Sequence, residues 1–481
     1  MRFPYLFASA AALALAACSN GPADNNAAGS AASQSAIQVS DKDLEKQVLA
    51  ALDDAPKHGL TKDLFLKGDL PADQAQRRTT LIGIATDYAS ALAQGKVDPK
   101  KIRDVYTVPR PKVDVAAGVA QALHDNKYRE WVNSLAPQTD EYQALSKAFV
   151  ALVQRTPNLP DGDIPAGKAI KRGASDPRVP AIAANLKQLG YLPPELPSST
   201  RYTPAIAQAV ARFQSDSGQK ADGVLGSATI AALNSSPRDR ARTLAVAMER
   251  LRWLDRNPPA TRIDVNTAGT YLDFYRDGGA VTHRKVVVGQ PDWQTPQLGA
   301  PIFQLVANPS WNVPTSIAEK ELSKKSGSYF AEQNIVQKNG RYVQLPGPKN
   351  ALGQVKFDMK DDEAIYLHDT PAKAMFGQDE RHESHGCVRV DGALDLAENI
   401  AAAQGVLDKF EEGLASGDET FVKLKTPIPV RLMYHTAWLG DDGRVHFAQD
   451  VYGWDNDVAA ALGYASVQRA ALKTRAGDVG P

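Results

Sequence analysis

The stretch Ser384-His385-Gly386-Cys387-Val388-Arg389-Val390 decides how the rest of the chain is read. It holds one of only two cysteines among 481 residues, with a histidine two positions before it and a glycine between them. A second histidine, His368, lies nineteen residues upstream of the cysteine, at the end of the apolar run Ile365-Tyr366-Leu367. A lone thiol with a histidine able to fold back onto it is the minimum equipment for covalent acyl transfer. Locally, Ile365-Tyr366-Leu367 reads as a strand that delivers His368, and Asp369-Thr370-Pro371 turns the chain. A charged loop then returns it to Ser384, where Gly386 permits an unusual backbone angle just before the thiol. Val388 and Val390 bury the stretch that follows, and Asp391 can cap a helix running to about Ala403.

A free thiol near pH 7 is only a few per cent ionised, so an imidazole must take its proton or stabilise the thiolate. His368 and His385 are the two candidates. Backbone N–H groups around Gly386 and Cys387 can hold the oxyanion of a tetrahedral intermediate. Two other readings compete. His382, His385 and Cys387, with His368 or Glu383, are ligand types for zinc, but the two nearby histidines are three residues apart and form no H-E-x-x-H pair. A structural cysteine would be expected among apolar residues rather than histidine, serine and glycine.

The bulk numbers bound the rest. A chain of 481 residues calls for two to four domains. Hydrophobic residues make up 43% and charged residues 23%, which is ordinary globular composition. Lys+Arg and Asp+Glu both number 55, so nothing points to a nucleic-acid partner. The first cysteine has its own context. Arg2, the apolar stretch Tyr5 to Ala17 and the ending Leu15-Ala16-Ala17-Cys18 suit a signal peptide over residues 1–17. The ending resembles the bacterial lipobox, which implies lipidation of Cys18; simple cleavage without lipid is the alternative. Ser19 after that cysteine favours, by the same resemblance, the outer membrane. Residues 18–38 are rich in Ser, Asn, Ala and Gly and read as a flexible tether, spanning roughly 25 Å on average. Export would place Cys387 in an oxidising compartment with no cysteine partner left inside the chain.

Residues 39–172 show helical periodicity, with Leu44, Val48 and Leu52 at spacing four, and read as a scaffold domain. His58 is expected to be a helix-end residue. In residues 173–236, Val179, Ile182, Leu186 and Leu189 line one helix that Gly190 stops. Ile206, Val210 and Phe213 line a second, and a turn at 221–226 leads to a third with Ser227 as N-cap. The strings Val210-Ala211-Arg212-Phe213-Gln214, Asp222-Gly223-Val224-Leu225-Gly226 and Thr229-Ile230-Ala231-Ala232-Leu233-Asn234 resemble the three-helix peptidoglycan-binding domain. A further helix carries five arginines from Arg238 to Arg252, expected on a solvated face or in salt bridges. At Arg262 the period changes to two, opening a β-rich domain over 260–436 with an insertion at about 315–350 that reads as a lid over a cleft. Pro429 to Tyr434 reads as a closing strand, and residues 437–481 as a hairpin, a short helix and a tail. The fold class is thus α+β and multidomain.

His368 followed by Ser384-His385-Gly386-Cys387-Val388-Arg389 resembles the signature of the L,D-transpeptidase (YkuD-type) catalytic domain. Val286-Val287-Val288-Gly289, Asn308-Pro309-Ser310-Trp311-Asn312-Val313-Pro314 and the stretch Pro346 to Gly353 agree with it. The arrangement is similar to the large subclass that adds scaffold, peptidoglycan-binding and capping segments. The resemblance implies that Cys387 attacks the third residue of a tetrapeptide stem, with His368 as base. It implies that Gly386, Cys387 and His385 line the oxyanion site, that Ser384 belongs to the motif, and that Arg389 orders the loop or binds a substrate carboxylate. Close relatives in that subclass can carry serine at the place of His385. The implied activity is 3→3 cross-linking of peptidoglycan stem peptides, without a cofactor or metal, by a periplasmic enzyme with a membrane lipid anchor. Hydrolysis by the same site, lipoprotein anchoring, and a non-catalytic peptidoglycan-binding lipoprotein are the alternatives.

Overall fold

A computed structural model describes residues 38–155, 164–165, 167–217, 219–234, 237–465 and 480. The expected signal peptide, Cys18 and all but the last residue of the expected tether lie outside the described residues, as do residues 466–479 and 481 of the tail. The scaffold is built from α1 (Asp41–Leu52), α2 (Gln74–Gln94), α3 (Val115–His124), α4 (Tyr128–Ser134) and α5 (Asp140–Arg155). Ser40 caps α1 by accepting the Asp43 N–H, and the spacing-four face puts Leu44, Val48 and Leu52 in the core. His58 ends a short 3₁₀ turn, Ala55–His58, and is buried against Tyr142 and Asn133.

The next module packs α6 (Val179–Gln188), α7 (Pro204–Asp216) and α8 (Ser227–Asn234) around Val179, Ile182, Phe213 and Leu225. Ser227 is the first helical residue, one position inside the expected cap; its side chain lies outside the described set. The turn before α8 is held by Gln214, whose Nε2 donates to the Val224 carbonyl at 2.9 Å while its Oε1 accepts the Gly223 N–H at 2.8 Å. Gly223 sits at φ +66°, and a Cβ there would meet the Ala207 carbonyl oxygen at 2.8 Å, so the turn requires glycine.

In the helix α9 (Pro237–Trp253) the arginines follow the salt-bridge half of the expectation and not the solvated-face half. Arg240, Arg242, Arg250 and Arg252 are buried, because α9 is surrounded on several sides. It packs on α5, on α2 and on α14 (Asp455–Ala461), the last helix among the described residues, so this part of the chain returns to the scaffold core. Arg250 pairs with Asp455 at 2.5 Å, Arg252 with Glu249 at 2.6 Å, and the Arg240 guanidinium lies over Phe213 and Phe447. Charge appears inside here because each guanidinium meets a carboxylate, an amide or an aromatic face.

The catalytic region is one mixed sheet. Its strands are β1 (Arg262–Asn266), β2 (Tyr271–Arg276), β3 (Gly279–Gly289), β4 (Gly299–Ala307), β8 (Val355–Met359), β9 (Leu367–His368), β10 (His382–Ser384), β11 (Val388–Val390) and β12 (Thr420–Met433). Hydrogen-bonded order runs β10-β3-β11-β9-β8-β4-β12-β1-β2, and β2 also pairs with β3, so the pairings close into a ring. The stretch expected to be a closing strand is the second half of β12, an interior strand between β4 and β1. A pattern of alternation cannot reveal which neighbours a strand finds. Helices α12 (Ala393–Ala403) and α13 (Leu407–Ser416) cover one face, with Leu396, Ile400 and Phe410 fully buried. Gly392, not Asp391, occupies the N-cap of α12, in the left-handed region at φ +61°.

The insertion forms a small unit of its own. It comprises α10 (Thr315–Ile317), a single π turn at Ala318–Leu322, α11 (Gly327–Glu332) and the hairpin β6 (Ile335–Lys338)–β7 (Arg341–Gln344), with β5 (Trp311–Asn312) added to β7. Trp311, Ile317, Leu322 and Ile335 form its core, and Trp293 and Tyr366 of the main domain pack against them. A last hairpin, β13 (Ala437–Leu439) and β14 (Val445–Phe447), precedes α14.

Candidate active site

Two adjacent parallel strands set the site. In β9 and β11, Leu367 pairs with Val388 and His368 with Arg389. The Val388 N–H donates to the Tyr366 carbonyl at 3.1 Å, which brings Cys387, one residue before β11, beside the segment that carries Tyr366 and His368. Both strands are short and flanked by others, so their ends are fixed by the surrounding ladder rather than by local propensity.

His368 is fully buried. Its Nδ1 faces the Asp369 carbonyl, an oxygen that can only accept, so Nδ1 carries the proton and Nε2 keeps its lone pair. Nε2 is buried and makes no hydrogen bond among the described residues. Burial, and then the nearby Arg389 charge, hold the imidazole well below its ordinary pKa. Cys387 is buried too, and desolvation pushes its thiol up to about 11 against the opposing pull of hydrogen bonds from Tyr366. The resting pair is therefore a neutral thiol and a neutral imidazole with a free lone pair.

Tyr366 belongs to the same cleft, its hydroxyl neighbouring the thiol and its ring edge-on to His368 at 5.6 Å, while Cys387 Sγ donates to the Ala364 carbonyl at 3.9 Å. Its place in the alternating run Ile365-Tyr366-Leu367-His368, on the same strand face as His368, is the signal that marks it. Lys356 Nζ lies 4.3 Å over the Tyr366 ring.

The loop before the thiol is tightly bound. Ser384 Oγ donates to the Cys387 carbonyl at 2.6 Å and accepts the Gly386 N–H at 3.2 Å. Gly386 lies at φ +112°, and its carbonyl accepts from Thr295 Oγ1 at 2.8 Å. Since Ser384 takes the Gly386 N–H, that group is not free to meet an oxyanion. Arg389 is buried with Nη1 at 3.1 Å from the Met375 sulfur, and it lines a cavity of about 420 Å³ with Thr370, Trp311, Lys325 and Tyr329.

The remaining histidines have separate partners. His385 Nε2 lies 2.5 Å from Glu321 of the insertion and its Nδ1 2.5 Å from the Gly480 carbonyl. His382 is engaged by Glu380 and by the Thr267 carbonyl, at 3.0 Å from the latter. The ligand set of the zinc reading is thus divided among different neighbours, and no group of three or more metal-ligating side chains forms among the described residues.

Comparison with known proteins finds three matched stretches. Residues 260–430 match the family model for the L,D-transpeptidase catalytic domain (YkuD), residues 39–149 the Scaffold domain model, and residues 175–233 a peptidoglycan-binding domain model. A Haemophilus influenzae protein described as a "putative L,D-transpeptidase" is 32% identical over 224 residues, covering 41% of this chain and 45% of that protein. The chain therefore matches about half the length of that relative. Among solved structures, an L,D-transpeptidase from Xylanimonas cellulosilytica matches at 18% identity over 56% of this chain and 98% of that one, with a TM-score of 0.20. The catalytic domain of an Enterococcus faecium L,D-transpeptidase acylated by ertapenem matches at 13% identity over 37% and 99%, also at 0.20. In chain order, the families these stretches match are therefore a scaffold domain, a peptidoglycan-binding domain and an L,D-transpeptidase catalytic domain.

Proposed function

We propose that this protein is a peptidoglycan L,D-transpeptidase that forms 3→3 cross-links through an acyl-enzyme on Cys387. The observation that carries the reading is the lone pair of His368 Nε2, buried, partnerless among the described residues and set beside the thiol strand by the β9–β11 register. A neutral base next to a neutral thiol is suited to general-base catalysis, in which the proton moves as the sulfur attacks.

The steps balance as follows. Cys387 Sγ bonds to the carbonyl carbon of the third residue in a tetrapeptide stem while its proton passes to His368 Nε2. The developing oxyanion meets the Cys387 N–H, with the Tyr366 hydroxyl close by, since the Gly386 N–H is held by Ser384. The C–N bond to D-alanine then breaks, and the imidazolium returns its proton to the leaving amine. A second stem's diaminopimelate amine attacks the thioester, gives its proton to His368 and displaces the thiolate, which takes the proton back. Ser384 and Gly386 hold the loop in the required shape, and Arg389 lines the cavity beside it. Water as acceptor would make the same site a carboxypeptidase; a lipoprotein lysine would make it an anchoring enzyme.

Cys18 as a lipidated N-terminus, and a periplasmic position on the outer membrane, belong to the same proposal. They rest on the lipobox-like Leu15-Ala16-Ala17-Cys18, and radiolabelled palmitate lost in Cys18→Ser would support them, whereas label retained in that variant would refute them. The enzymatic reading is tested by mass spectrometry after exposure to a carbapenem, which resembles the acyl donor. One adduct on Cys387, absent in Cys387→Ala, is expected. No adduct, or one that survives the substitution, leaves a non-catalytic peptidoglycan-binding lipoprotein as the better account. Unchanged 3→3 dimers in muropeptides of cells lacking the protein would refute the cross-linking role.

A further inference from the structure

Among the described residues, the nucleophile loop reaches the insertion through the side chain of His385. Its ring is enclosed, with 4% of the side chain exposed, and an acceptor faces each nitrogen: Glu321 Oε1 at Nε2 and the Gly480 carbonyl at Nδ1. Trp293 stands edge-on to it at 5.1 Å, and Lys320 Nζ lies 4.2 Å over the Trp293 ring. Glu321 and Lys320 both belong to the π turn Ala318–Leu322, whose Leu322 is buried in the core of the insertion. Helical backbone with one extra residue per turn is uncommon and concentrates at functional positions. Here it turns Lys320 and Glu321 toward Trp293 and His385.

We propose that His385 is a positioning residue that fastens the capping segment to the nucleophile loop through Glu321, and so sets the width of the cavity between them. One wall of that cavity is the insertion, with Lys325 and Tyr329; the other is Thr370 and Arg389 of the catalytic sheet. The sheet side is fixed by strand ladders, whereas the insertion has its own small core and its own three-stranded sheet. A fastening between the two bodies therefore acts on their separation rather than on the folding of either. A serine at position 385, whose Oγ ends two covalent bonds nearer the backbone than the histidine Nε2, could not span to Glu321. The consequence for the reaction rests on the function proposed above: the fastening governs how readily a stem peptide enters and leaves, not the chemistry at sulfur.

The full chain with Glu321→Ala, with His385→Ser and with both changes tests this directly. Hydrogen exchange of amides in residues 315–333 is expected to quicken roughly tenfold in each single variant, while amides of β12 keep the parent rate. The double variant is expected to exchange no faster than either single one, because one contact is lost only once. KM for a disaccharide-tetrapeptide donor should shift several-fold with kcat changed less. Parent-like exchange in both single variants, or accelerations that multiply in the double variant, would overturn the proposal. Glu321 lies on the insertion with 26% of its side chain exposed, so its variant tests the contact without disturbing the sheet. Exchange is read without turnover, so a chain that fails to acylate at Cys387 refutes the function and leaves this test standing.

Discussion

Helix α9 and the Cys387 cleft both bury titratable groups, but they treat them in opposite ways. Around α9, Glu249 accepts from Arg252 at 2.6 Å, from Trp253 Nε1 at 3.1 Å and from the Val97 N–H at 2.7 Å. Arg252 also donates to the His58 carbonyl and to the Tyr142 hydroxyl, each at 2.8 Å. In the cleft, His368 keeps one nitrogen bonded and the other bare. A buried polar group left without a partner costs about 1–3 kcal/mol, so saturation is what a strut needs and an open lone pair is what a base needs. At Glu249 and Arg252 that penalty is avoided; at His368, as at Arg250 Nε and Nη2 on α9, it is accepted, and what sets His368 apart is that its bare atom is a lone pair able to take a proton.

Breaking each side in turn should give opposite signatures. The largest effect is expected from His368→Ala, which should slow carbapenem acylation of Cys387 by roughly 10²- to 10⁴-fold while leaving the denaturation midpoint near that of the parent. Stopped-flow acylation and thermal melts check both halves; a large loss of stability with intact acylation would reverse the comparison. Glu249→Ala should do the opposite. It leaves a buried guanidinium without its carboxylate and should destabilise by roughly 3–5 kcal/mol, seen as a lowered melting midpoint, with acylation of the folded fraction preserved. Gly386→Ala sits between them. At φ +112° a side chain is strained, by roughly 1–3 kcal/mol, and the loop that presents the thiol should distort, so both readouts should decline together.

The smallest effect is in acid. His58 is pushed down to about 4 and His435 to about 3 by burial, and His368 lies well below its ordinary value for the same reason. Below about pH 6.5 the unfolded chain protonates these imidazoles and the folded chain does not, so the unfolded state binds more protons. Their stabilising contribution is present above pH 6.5 and is lost as pH falls toward 4. Denaturant midpoints measured from pH 7 to 4 should decline, and His58→Gln should flatten the slope. Acylation of the folded protein should hold at pH 6, because His368 is still neutral there; a fall with a midpoint near 6.5 would count against the neutral base.

Much of the site was legible in the residues. Cys387, His368 and Gly386 stand out because thiols and histidines are rare here and their spacing is short, and the structure brings the two strands that carry them into register. The helical spacing of Leu44, Val48 and Leu52 translated directly into a buried face. The arginines of α9 were legible only in part. Salt bridges were one of the two expectations and two form, but no pattern within α9 records that α2, α5 and α14 enclose the helix and bury Arg240, Arg242, Arg250 and Arg252. Tyr366 was hidden for a similar reason, since a tyrosine in a strand is ordinary until a thiol is placed against its hydroxyl.

By itself, the sequence determined the helix faces, the change of period at Arg262 and which residues are candidates for the reactive groups. Those are properties of local periodicity and of side-chain chemistry, which need no distant partner. Only the tertiary structure decided that β12 lies inside the ring, that His368 has its Nδ1 committed and its Nε2 free, and that His385 meets Glu321 rather than the thiol. The neighbours of β12 and the Glu321 carboxylate arrive from tens or hundreds of residues away, and although the carbonyl that holds His368 Nδ1 is that of adjacent Asp369, only closure of the fold buries Nε2 and leaves it bare.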